Sequence, residues 1–520
     1  MSLLLEKLIK PLHQVIKFFQ ALPRALTYYG SLRKTVRKVI AILREGGLSK
    51  FILYAKIFFF DCNRAPILQR ADNNDDIYEK GCLHQADYIP KISIVVPNFN
   101  HAPYLRARLD SIYNQTYKNF EVILLDDCST DESREILEEY ATRYADKTSC
   151  HFNVINSGGV FNQWQKGLEL VTGELVWIAE SDDYCTPNQL EELVTYFSNQ
   201  AVMLAYCRTD FVTGEPPHKI RTLEQYLADL KLDCWRKPFI KSAHWLVNHG
   251  WAIKNIVPNV SSALFRRPEQ FNLFECQEWK NLKLCGDWIF YLTIIRGGLV
   301  AYSPNATNYY RQHNQGTSFN VQKTDDFYRE YEYVARILIS LYRLAPGLLE
   351  WQRDYLSQHW MLQRGEFSIE KLKTLYDLER IKQSAEQRKP NIIIATYAFI
   401  ARGGETFPIA LANLLKNKGY SVIVLNCNQQ DPNLSIKKML SKNIPLLELK
   451  NLTELSIFLN DLNMEVVHSH HVWVDIMFAR LLKQDQEIKH VVTLHGMYET
   501  LSPKFLENNL PLLKSRFSAH

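Results

Sequence analysis

Two stretches, Lys91–Val96 (K-I-S-I-V-V) and Phe120–Asp131 (F-E-V-I-L-L-D-D-C-S-T-D), are expected to decide how this chain folds. Each begins with an aliphatic, partly β-branched run typical of a buried strand, and a helical pattern over Pro103–Gln115 separates the two. Further strands are predicted near His151–Ile155 and at Glu174–Ala179, with helices between them. This alternation predicts a parallel, doubly wound sheet, and such sheets bind ligands at the carboxyl ends of their strands.

Acidic residues follow the second predicted strand. Asp126 and Asp127 come directly after its apolar run, and Asp131 stands where the next helix would begin. A carboxylate at a strand end can accept hydrogen bonds from a nucleobase N–H or a ribose hydroxyl. The alternative is two turn-forming aspartates followed by a helix cap.

A second acidic group, in W-I-A-E-S-D-D-Y, follows the strand at Glu174–Ala179. Glu180, Asp182 and Asp183 are spaced so that their oxygens could hold a divalent cation such as Mg²⁺ or Mn²⁺. Such a cation bridges the phosphates of a nucleotide sugar and neutralises the charge on the departing diphosphate. The alternative is a solvated acidic loop.

In combination these motifs resemble the family 2 glycosyltransferases, which have the GT-A fold. The family's opening pattern is matched by Ser93–Leu105 (S-I-V-V-P-N-F-N-H-A-P-Y-L), its aspartate pair by L-D-D-C-S-T-D, and its metal-binding D-x-D by E-S-D-D. Here Glu180 replaces the usual aspartate. Glutamate still offers oxygen ligands, so the replacement affects the expected metal geometry more than it affects the family assignment. The resemblance implies nucleotide-sugar binding by Pro97, Asn98, Asn100, Asp126, Asp127, Asp182 and Arg311. It also implies that Mn²⁺ or Mg²⁺ is bound by Asp182, Glu180 and His313.

The same resemblance extends to the motif L-C-G-D-W-I-F-Y, which places Asp287 at the start of a predicted helix, Asp287–Arg296. In inverting members an aspartate at this position deprotonates the acceptor hydroxyl, so the resemblance implies that Asp287 is the catalytic base. A helix N-cap is the alternative. The segment Ile256–Arg267 resembles the wall of the acceptor site, and the implied acceptor-binding residues are Asn259, Ser261, Ser262 and Trp288.

The segment Tyr309–Ser318 (Y-Y-R-Q-H-N-Q-G-T-S) resembles the element that closes over the diphosphate. Arg311 and His313 would there bind phosphate oxygens or metal. A surface turn is the alternative.

A second alternating region begins with the strand Asn391–Ala395 and is predicted to form a second Rossmann-like unit. Gly403, Gly404 and Glu405 lie between this strand and a predicted helix, Thr406–Asn417. Together with Glu465–Trp473 and His490–Tyr498, this loop resembles the acceptor-side N-terminal domain of the family 4, GT-B-fold glycosyltransferases.

A GT-B enzyme also needs a donor-binding domain, and the sequence ends at His520. We therefore expect an incomplete GT-B unit that does not catalyse alone: a truncated remnant, a fragment boundary or an accessory acceptor-binding module. The histidines of this region, His468, His470, His471 and His495, are interpreted as acceptor contacts or strand-end packing rather than metal ligands, because alternate strand residues point to opposite faces.

Composition and charge limit the remaining possibilities. Of the 520 residues 46% are apolar and 22% charged, which is ordinary for a globular chain of several domains. Eleven Lys and Arg but only two acidic residues occupy positions 1–60, in amphipathic patterns. This segment is expected to attract an anionic membrane surface rather than nucleic acid, although a helix packed on its own protein is the alternative.

The ten scattered cysteines include no C-x-x-C pair, which favours a reducing cytoplasm. No signal peptide is expected, and the apolar run Phe51–Phe60 is too short to span a membrane.

The predicted organisation is a basic helical segment over 1–60, a linker over 61–90, a GT-A domain over 91–318, a helical linker over 319–389 and a partial GT-B domain over 390–520. The predicted function is inverting sugar transfer from a nucleoside-diphosphate (NDP) sugar to a glycan or lipid-linked oligosaccharide in surface polysaccharide synthesis, at the inner face of the cell membrane. Two alternatives stay open: a non-catalytic glycan-binding scaffold, and a nucleotide-sugar pyrophosphorylase. The latter would need a Gly-rich basic loop after the first strand, and P-N-F-N-H-A-P-Y offers none.

Overall fold

The fold is taken from a computed structural model. It describes residues 77–230, 232–269, 272–313, 321, 324–364, 369–400, 403–428, 433–482, 487–493 and 501–514. The basic segment 1–60 and most of the predicted linker after it lie outside the described residues, as does His495. Among the described residues, no helix has the length and apolar character needed to cross a membrane.

The first unit is built on a ten-stranded sheet. Its strands are β1 (Ile92–Asn98), β2 (Phe120–Asp126), β3 (Thr148–Phe152), β4 (Leu175–Ile178), β5 (Tyr184–Cys185), β6 (Val202–Thr213), β7 (His218–Thr222), β8 (Phe239–Ser242), β9 (Ala263–Arg266) and β10 (Leu299–Arg311). Its helices are α1 (Ile77–Gly81), α2 (Ala102–Tyr113), α3 (Ser133–Arg143), α4 (Val160–Leu170), α5 (Gln189–Val194), α6 (Leu223–Tyr226), α7 (Ala243–Leu246), α8 (Gln277–Lys280) and α9 (Gly286–Ile294).

The strand order is β3-β2-β1-β4-β9-β6-β10-β5, with β7 paired to β6 and β8 to β10. Strands β3, β2, β1 and β4 are parallel, as predicted. The strands beyond β4 were not predicted, and there β9 runs antiparallel to both of its neighbours while β5, β7 and β8 also pair antiparallel. An apolar run indicates that a strand is buried but does not indicate its direction. The sequence pattern therefore could not predict the strand directions in this half of the sheet.

The predicted strand near His151–Ile155 lies three residues too late. Strand β3 covers Thr148–Phe152 because Thr148 pairs with Val122 of β2. Val154 and Ile155, whose side chains suggested the strand, lie beyond its end and are 91% and 80% exposed. The predicted helix Asp287–Arg296 is instead Gly286–Ile294.

Helix α4 packs tightly on the sheet because Gly167 lies against β1. A Cβ atom at this position would come within 2.3 Å of the Val95 Cγ1, so only glycine allows this approach. Phe161 and Trp164 on the same helix are buried in the core.

In the described residues after the first unit, the α-helices before the next strand are α10 (Asp325–Leu341), α11 (Leu348–Arg364), α12 (Ile369–Leu375) and α13 (Leu378–Gln383). They occupy the predicted helical linker. Tyr328, Val334 and Leu356 belong to the same apolar core as Trp288 and Ile289 of α9. These helices are therefore packed against the first unit.

The second unit is an all-parallel sheet of β11 (Asn391–Thr396), β12 (Ser421–Asn426), β13 (Leu446–Glu448), β14 (Val466–Ser469) and β15 (Lys489–Val492), in the order β13-β12-β11-β14-β15. Its helices are α14 (Gly403–Asn417), α15 (Leu434–Lys437), α16 (Leu455–Asp461), α17 (Val472–Leu481) and α18 (Pro503–Lys514). The predicted fold class, an α/β GT-A unit followed by helices and a second Rossmann-like unit, is confirmed.

The two units are in direct contact. Cys82 and Leu449 form an isolated β-bridge, Leu83 N donates to Glu448 O at 2.8 Å, and Lys450 N donates to Gly81 O at 2.8 Å. Arg296, two residues after α9, donates through Nη1 to Gly419 O at 2.7 Å and through Nη2 to Lys389 O at 3.0 Å. Because Arg296 is buried, the second unit supplies two carbonyls to a guanidinium that water barely reaches.

Replacing Arg296 with Met should lower the free energy of unfolding by about 1–3 kcal/mol, because Gly419 O and Lys389 O lose their buried donor. Urea denaturation of the full chain, followed by circular dichroism, measures this. The control is Arg134→Ala, since Arg134 pairs with Glu138 on the surface and its loss should change stability by less than about 0.5 kcal/mol. Equal effects of the two substitutions would show that the Arg296 contacts contribute nothing specific.

Candidate functional site at the carboxyl ends of the first sheet

Asp126 ties the loops after β1 and β2 together. Asn98 lies opposite Asp126 in the parallel register, and its Nδ2 donates to Asp126 Oδ1 at 2.9 Å. Ser129 donates its backbone N–H to Asp126 Oδ2 at 2.9 Å and its hydroxyl to Oδ1 at 2.6 Å. Asn100, in the left-handed region at φ 55°, accepts from Thr130 N at 2.8 Å. Pro97 is buried at the end of β1 beside these loops.

Asp131 also joins two elements. Its Oδ1 accepts from Ser133 N at 3.0 Å at the start of α3, and its Oδ2 accepts from Ala102 N at 2.9 Å at the start of α2. The N-cap of α3 is Glu132 rather than the predicted Asp131, but the Asp131 carboxylate still accepts from the first backbone N–H of both helices.

Asp127 holds the loop that follows β3. Three donors converge on its Oδ1, namely Asn153 Nδ2 at 2.7 Å, Ser157 N at 2.8 Å and Gln163 Nε2 at 2.8 Å. The Ser157 hydroxyl donates to Oδ2 at 2.8 Å. The buried Asp127 carboxylate therefore organises the loop as well as standing at the predicted nucleotide end. Its contact with a nucleotide stays a prediction.

His101, Asp182 and His313 form the one group of metal-ligating side chains found among the described residues, with candidate ligand atoms all within 4.8 Å of one another. His313 Nε2 lies 3.1 Å from Asp182 Oδ2. Burial opposes ionisation of Asp182, but the hydrogen bond from His313 and the charges of His101 and His313 outweigh it, so its pKa is lowered. The sequence prediction included Asp182 and His313 but missed His101, which stands in the loop after β1.

Glu180 lies outside this cluster. Its Oε1 accepts from Trp164 Nε1 at 2.9 Å. Burial, followed by the charge of Asp182, raises its pKa to about 8, so the protonated form is favoured at neutral pH. Its role as a metal ligand stays a prediction.

Asp183 is fully buried and faces an arginine. Arg108 Nη2 lies 3.7 Å from its Oδ2, and Arg108 Nε donates to Glu180 O at 2.8 Å. Burial and the charge of Asp182 still raise the pKa of Asp183 to about 7. Arg108 thus contacts both the first and the last residue of the E-S-D-D loop, Glu180 and Asp183.

Arg311, the last residue of β10, packs over the same loop. Its Nε donates to Asp182 O at 2.9 Å, its backbone N donates to Asp183 Oδ1 at 3.0 Å, and its Nη1 pairs with Glu215 Oε1 at 2.5 Å. The guanidinium also lies over the Tyr104 ring at 4.7 Å. The structure therefore places Arg311 beside the metal-ligating cluster, and phosphate binding by it stays a prediction.

Asp287 is half-buried in the first turn of α9. Its Oδ1 accepts from Trp288 N at 2.6 Å and its Oδ2 from Asn255 Nδ2 at 3.2 Å. Burial raises its pKa to about 7, against the lowering effect of these two hydrogen bonds and with a further raising effect from the charge of Glu330. A carboxyl group with a pKa near neutrality suits a general base, because it can both take up and release a proton.

Glu330 of α10 supports the turn that carries Asp287. Its Oε1 accepts from Lys283 N at 2.8 Å, and its Oε2 accepts from Leu284 N and Cys285 N at 2.8 Å each. Sequence reasoning missed this residue, because a single glutamate in an amphipathic helix carries no motif.

Three of the predicted acceptor-binding residues, Asn259, Ser261 and Ser262, are bonded to one another or to the E-S-D-D loop, whereas the buried Trp288 Nε1 has no hydrogen-bond partner among the described residues. Ser261 Oγ accepts from Glu180 N at 3.0 Å, while Asn259 Oδ1 accepts from Ser261 N at 2.9 Å. Ser262 Oγ donates to Asn259 O at 2.8 Å, and Trp288 is buried edge-on to Tyr331. The structure shows a wall beside the site, and acceptor contact by these residues stays a prediction.

In the second unit, the predicted helix Thr406–Asn417 begins earlier, at Gly403, so Gly403, Gly404 and Glu405 form its first turn. His471 caps α17 by accepting from Trp473 N at 3.2 Å. His468 lies 2.8 Å from Thr493 Oγ1 and packs against His470. These contacts agree with strand-end packing.

Comparison with known proteins finds a family match for two separate parts of the chain. Residues 93–251 match the model of Glycosyl transferase family 2, and residues 401–519 match that of Glycosyltransferase Family 4. The resemblance predicted from the motifs is confirmed: a family 2 region is joined to a family 4 region. Asp287 lies beyond the end of the family 2 match.

Curated relatives align with part of the chain. An uncharacterized glycosyltransferase of Nostoc sp. is 32% identical over 24% of this chain and 38% of its own length. Bacillus subtilis TuaG, provisionally named a teichuronic acid biosynthesis glycosyltransferase, is 24% identical over 47% of this chain and 89% of its own length. Staphylococcus aureus TarS, a poly(ribitol-phosphate) beta-N-acetylglucosaminyltransferase, is 33% identical over 20% of this chain and 18% of its own length.

The chain thus spans well under half the length of the Nostoc relative and of TarS. A solved TarS structure with UDP-GlcNAc has a TM-score of 0.40 at 17% identity, covering 57% of this chain and 78% of that chain.

Replacing Asp127 with Ala should lower the free energy of unfolding by about 2–4 kcal/mol, since four converging donors lose their acceptor. Asp127→Asn should be milder, because an amide can present its oxygen to the three Oδ1 donors and its NH₂ to the Ser157 hydroxyl. Urea denaturation of both variants, with exposed Asp146→Ala as the control, measures the difference. Equal stability of Asp127→Ala and Asp146→Ala would refute a loop-organising role for Asp127.

Proposed function

We propose, from the premise that a family 2 glycosyltransferase region is joined to a family 4 region, that this chain transfers a sugar from an NDP-sugar to a glycan or lipid-linked acceptor with inversion. The observation that carries the proposal is the half-buried Asp287 carboxylate, which accepts from Trp288 N and Asn255 Nδ2 and whose pKa is raised to about 7 by burial. A base that titrates near neutrality next to a nucleotide-binding fold suits removal of a proton from a sugar hydroxyl.

In the proposed step, an Asp287 oxygen takes the proton of the acceptor hydroxyl. The acceptor oxygen then attacks the anomeric carbon from the face opposite the diphosphate, forming the glycosidic bond as the bond to the leaving oxygen breaks. The products are an inverted glycoside, a nucleoside diphosphate and protonated Asp287, which returns its proton to water. One displacement with one carboxylate as base accounts for inversion.

The residues of the cluster fit a divalent cation. His101, Asp182 and His313 offer two imidazoles and one carboxylate, and buried His313 Nδ1 has no hydrogen-bond partner within the part of the chain that the structure describes. Mixed nitrogen and oxygen ligands favour Mn²⁺ over Mg²⁺, which prefers oxygen ligands alone. When bound, the cation would neutralise charge on the departing diphosphate. Arg311, beside Asp182, is placed to contribute a second positive charge to the same phosphates.

The acceptor class and the location draw on relatives. TuaG and TarS are named for polymers of the cell envelope, and the basic segment 1–60 of this chain would favour an anionic membrane surface. We therefore place the reaction in surface polysaccharide synthesis, at the cytoplasmic face of the membrane, with no nucleic acid partner. A scaffold derived from a glycosyltransferase would have no need to keep Asp182 and Asp287 within such organised hydrogen-bond networks.

Asp287→Asn should reduce transfer by at least about 10³-fold, because the amide cannot take up the proton. Binding of UDP with Mn²⁺ should be unchanged. The donor is first identified by screening several NDP-sugars for hydrolysis, and transfer is then measured with that donor. Asp326→Asn, an exposed change on α10, is the control. A normal transfer rate in Asp287→Asn would refute the assigned base, and absence of nucleotide binding to the wild type would favour the scaffold.

His101→Ala should weaken Mn²⁺ binding by about 10- to 100-fold, because one of three protein ligands is lost. Isothermal titration with Mn²⁺ in the presence of UDP measures this. The matched control is His84→Ala, since His84 is exposed and lies against Ser198 rather than the cluster. Unchanged Mn²⁺ affinity in His101→Ala would remove His101 from the metal site and leave the ligands predicted from the sequence, Asp182, Glu180 and His313.

A further inference from the structure

Asn255 touches the proposed base and is held in one orientation by its own neighbours. Its Oδ1 accepts from Trp251 Nε1 at 3.1 Å and from Val257 N at 3.2 Å. Because both of these partners are donors, the amide oxygen must face them and the amide nitrogen must face the other way. That nitrogen donates to Asp287 Oδ2 at 3.2 Å.

The backbone around Asn255 is anchored as well. Tyr226 donates its hydroxyl to Asn255 O at 3.0 Å. The preceding residue, Lys254, is buried, and its Nζ donates to Tyr226 O at 2.8 Å and to Asp229 Oδ2 at 3.0 Å. The contacts of Lys254, Tyr226 and Asp229 fix the backbone at Asn255. The Asn255 amide therefore stays in place if the Asp287 carboxylate rotates.

From this geometry we propose that Asn255 is a positioning residue for Asp287: its amide fixes the carboxylate plane and favours the ionised form that accepts the acceptor proton. The inference rests on the proposed role of Asp287 as the base. With Trp288 N on Oδ1 and Asn255 Nδ2 on Oδ2, each oxygen receives one hydrogen bond and keeps a lone pair for the incoming hydroxyl.

One other titratable group, Glu330, acts on the pKa of Asp287 in the direction opposite to Asn255. Glu330 raises the pKa of Asp287 through its charge. The charge of Asp287 in turn contributes to the raised pKa values of Cys285, Tyr226 and Tyr291, so all three lie within electrostatic reach of it. Since these three groups are neutral at neutral pH, the donors from Trp288 N and Asn255 Nδ2 are the contacts that offset burial and Glu330, and Asn255 supplies the only side-chain donor of the two.

The sign of the pH effect follows from these contacts. Asp287 is active when ionised, so transfer should rise with pH through its pKa of about 7. Loss of a hydrogen bond to the ionised form raises that pKa further, and the acid side of the profile moves to higher pH.

The test measures kcat as a function of pH, at saturating donor, for the full-length protein and its variants. Asn255→Ala should move the acid limb upward by about one pH unit and lower the plateau roughly tenfold, with the donor KM unchanged. Asn255→Asp keeps the side-chain volume and the contacts to Trp251 and Val257 but adds a negative charge beside Asp287. The acid side of its pH profile should therefore shift to higher pH by more than that of Asn255→Ala. Asn305→Ala is the control, because Asn305 donates to Glu192 instead.

In an Asp287→Asn background, Asn255→Ala should change the residual rate by less than about twofold, since two residues that act as a unit are not additive. If Asp287→Asn retains transfer, the proposed function itself is wrong. If Asp287→Asn abolishes transfer but both Asn255 variants keep the wild-type pH limb, only the positioning role is overturned. Should Asn255→Ala fail to fold, the volume-conserving Asn255→Asp decides the outcome alone.

Discussion

The candidate site depends on how the fold compensates the negative charges of several carboxylates that it brings to one edge of a sheet. Glu180, Asp182 and Asp183 stand within four residues of one another, and a buried negative charge is unfavourable unless it is paired or hydrogen-bonded. The structure uses a different solution for each. His313 bonds Asp182, Arg108 faces Asp183 from below, and Glu180 accepts from an indole while its pKa rises. The loop is therefore held in place by its neighbours before any ligand binds.

The turn that carries Asp287 is assembled from distant parts of the chain. Glu330 accepts three backbone N–H groups just before α9, and Asn255 reaches the carboxylate from the side. Gly286 lets the turn press on Phe161, whose ring atoms would come within 2.2 Å of any Cβ there. The helix α10, which looked like part of a linker, is thus a structural component of the site.

Sequence reasoning worked where chemistry is local and failed where it depends on neighbours in space. Motifs placed Asp126, Asp127, Asp182 and Asp287 at strand ends or a helix start, because those positions follow directly from an apolar run or a helical pattern. They could not show that His101 meets Asp182 and His313, since three separate loops supply them. The antiparallel strands and the early end of β3 were missed for the same reason, because pairing partners set both direction and register.

The contact between the two units links the family 4 region to the helix that carries Asp287. Helix α9 carries Asp287 in its first turn, and Arg296, just past its last turn, bonds two carbonyls of the second unit. A helix of this length extends about 14 Å at 1.5 Å per residue, so it connects the proposed base to the interface through one rigid element. Displacement of the second unit would move the far end of that helix, while Glu330 holds the near end. The second unit is therefore joined, through the Arg296 guanidinium, to the helix on which the proposed base stands.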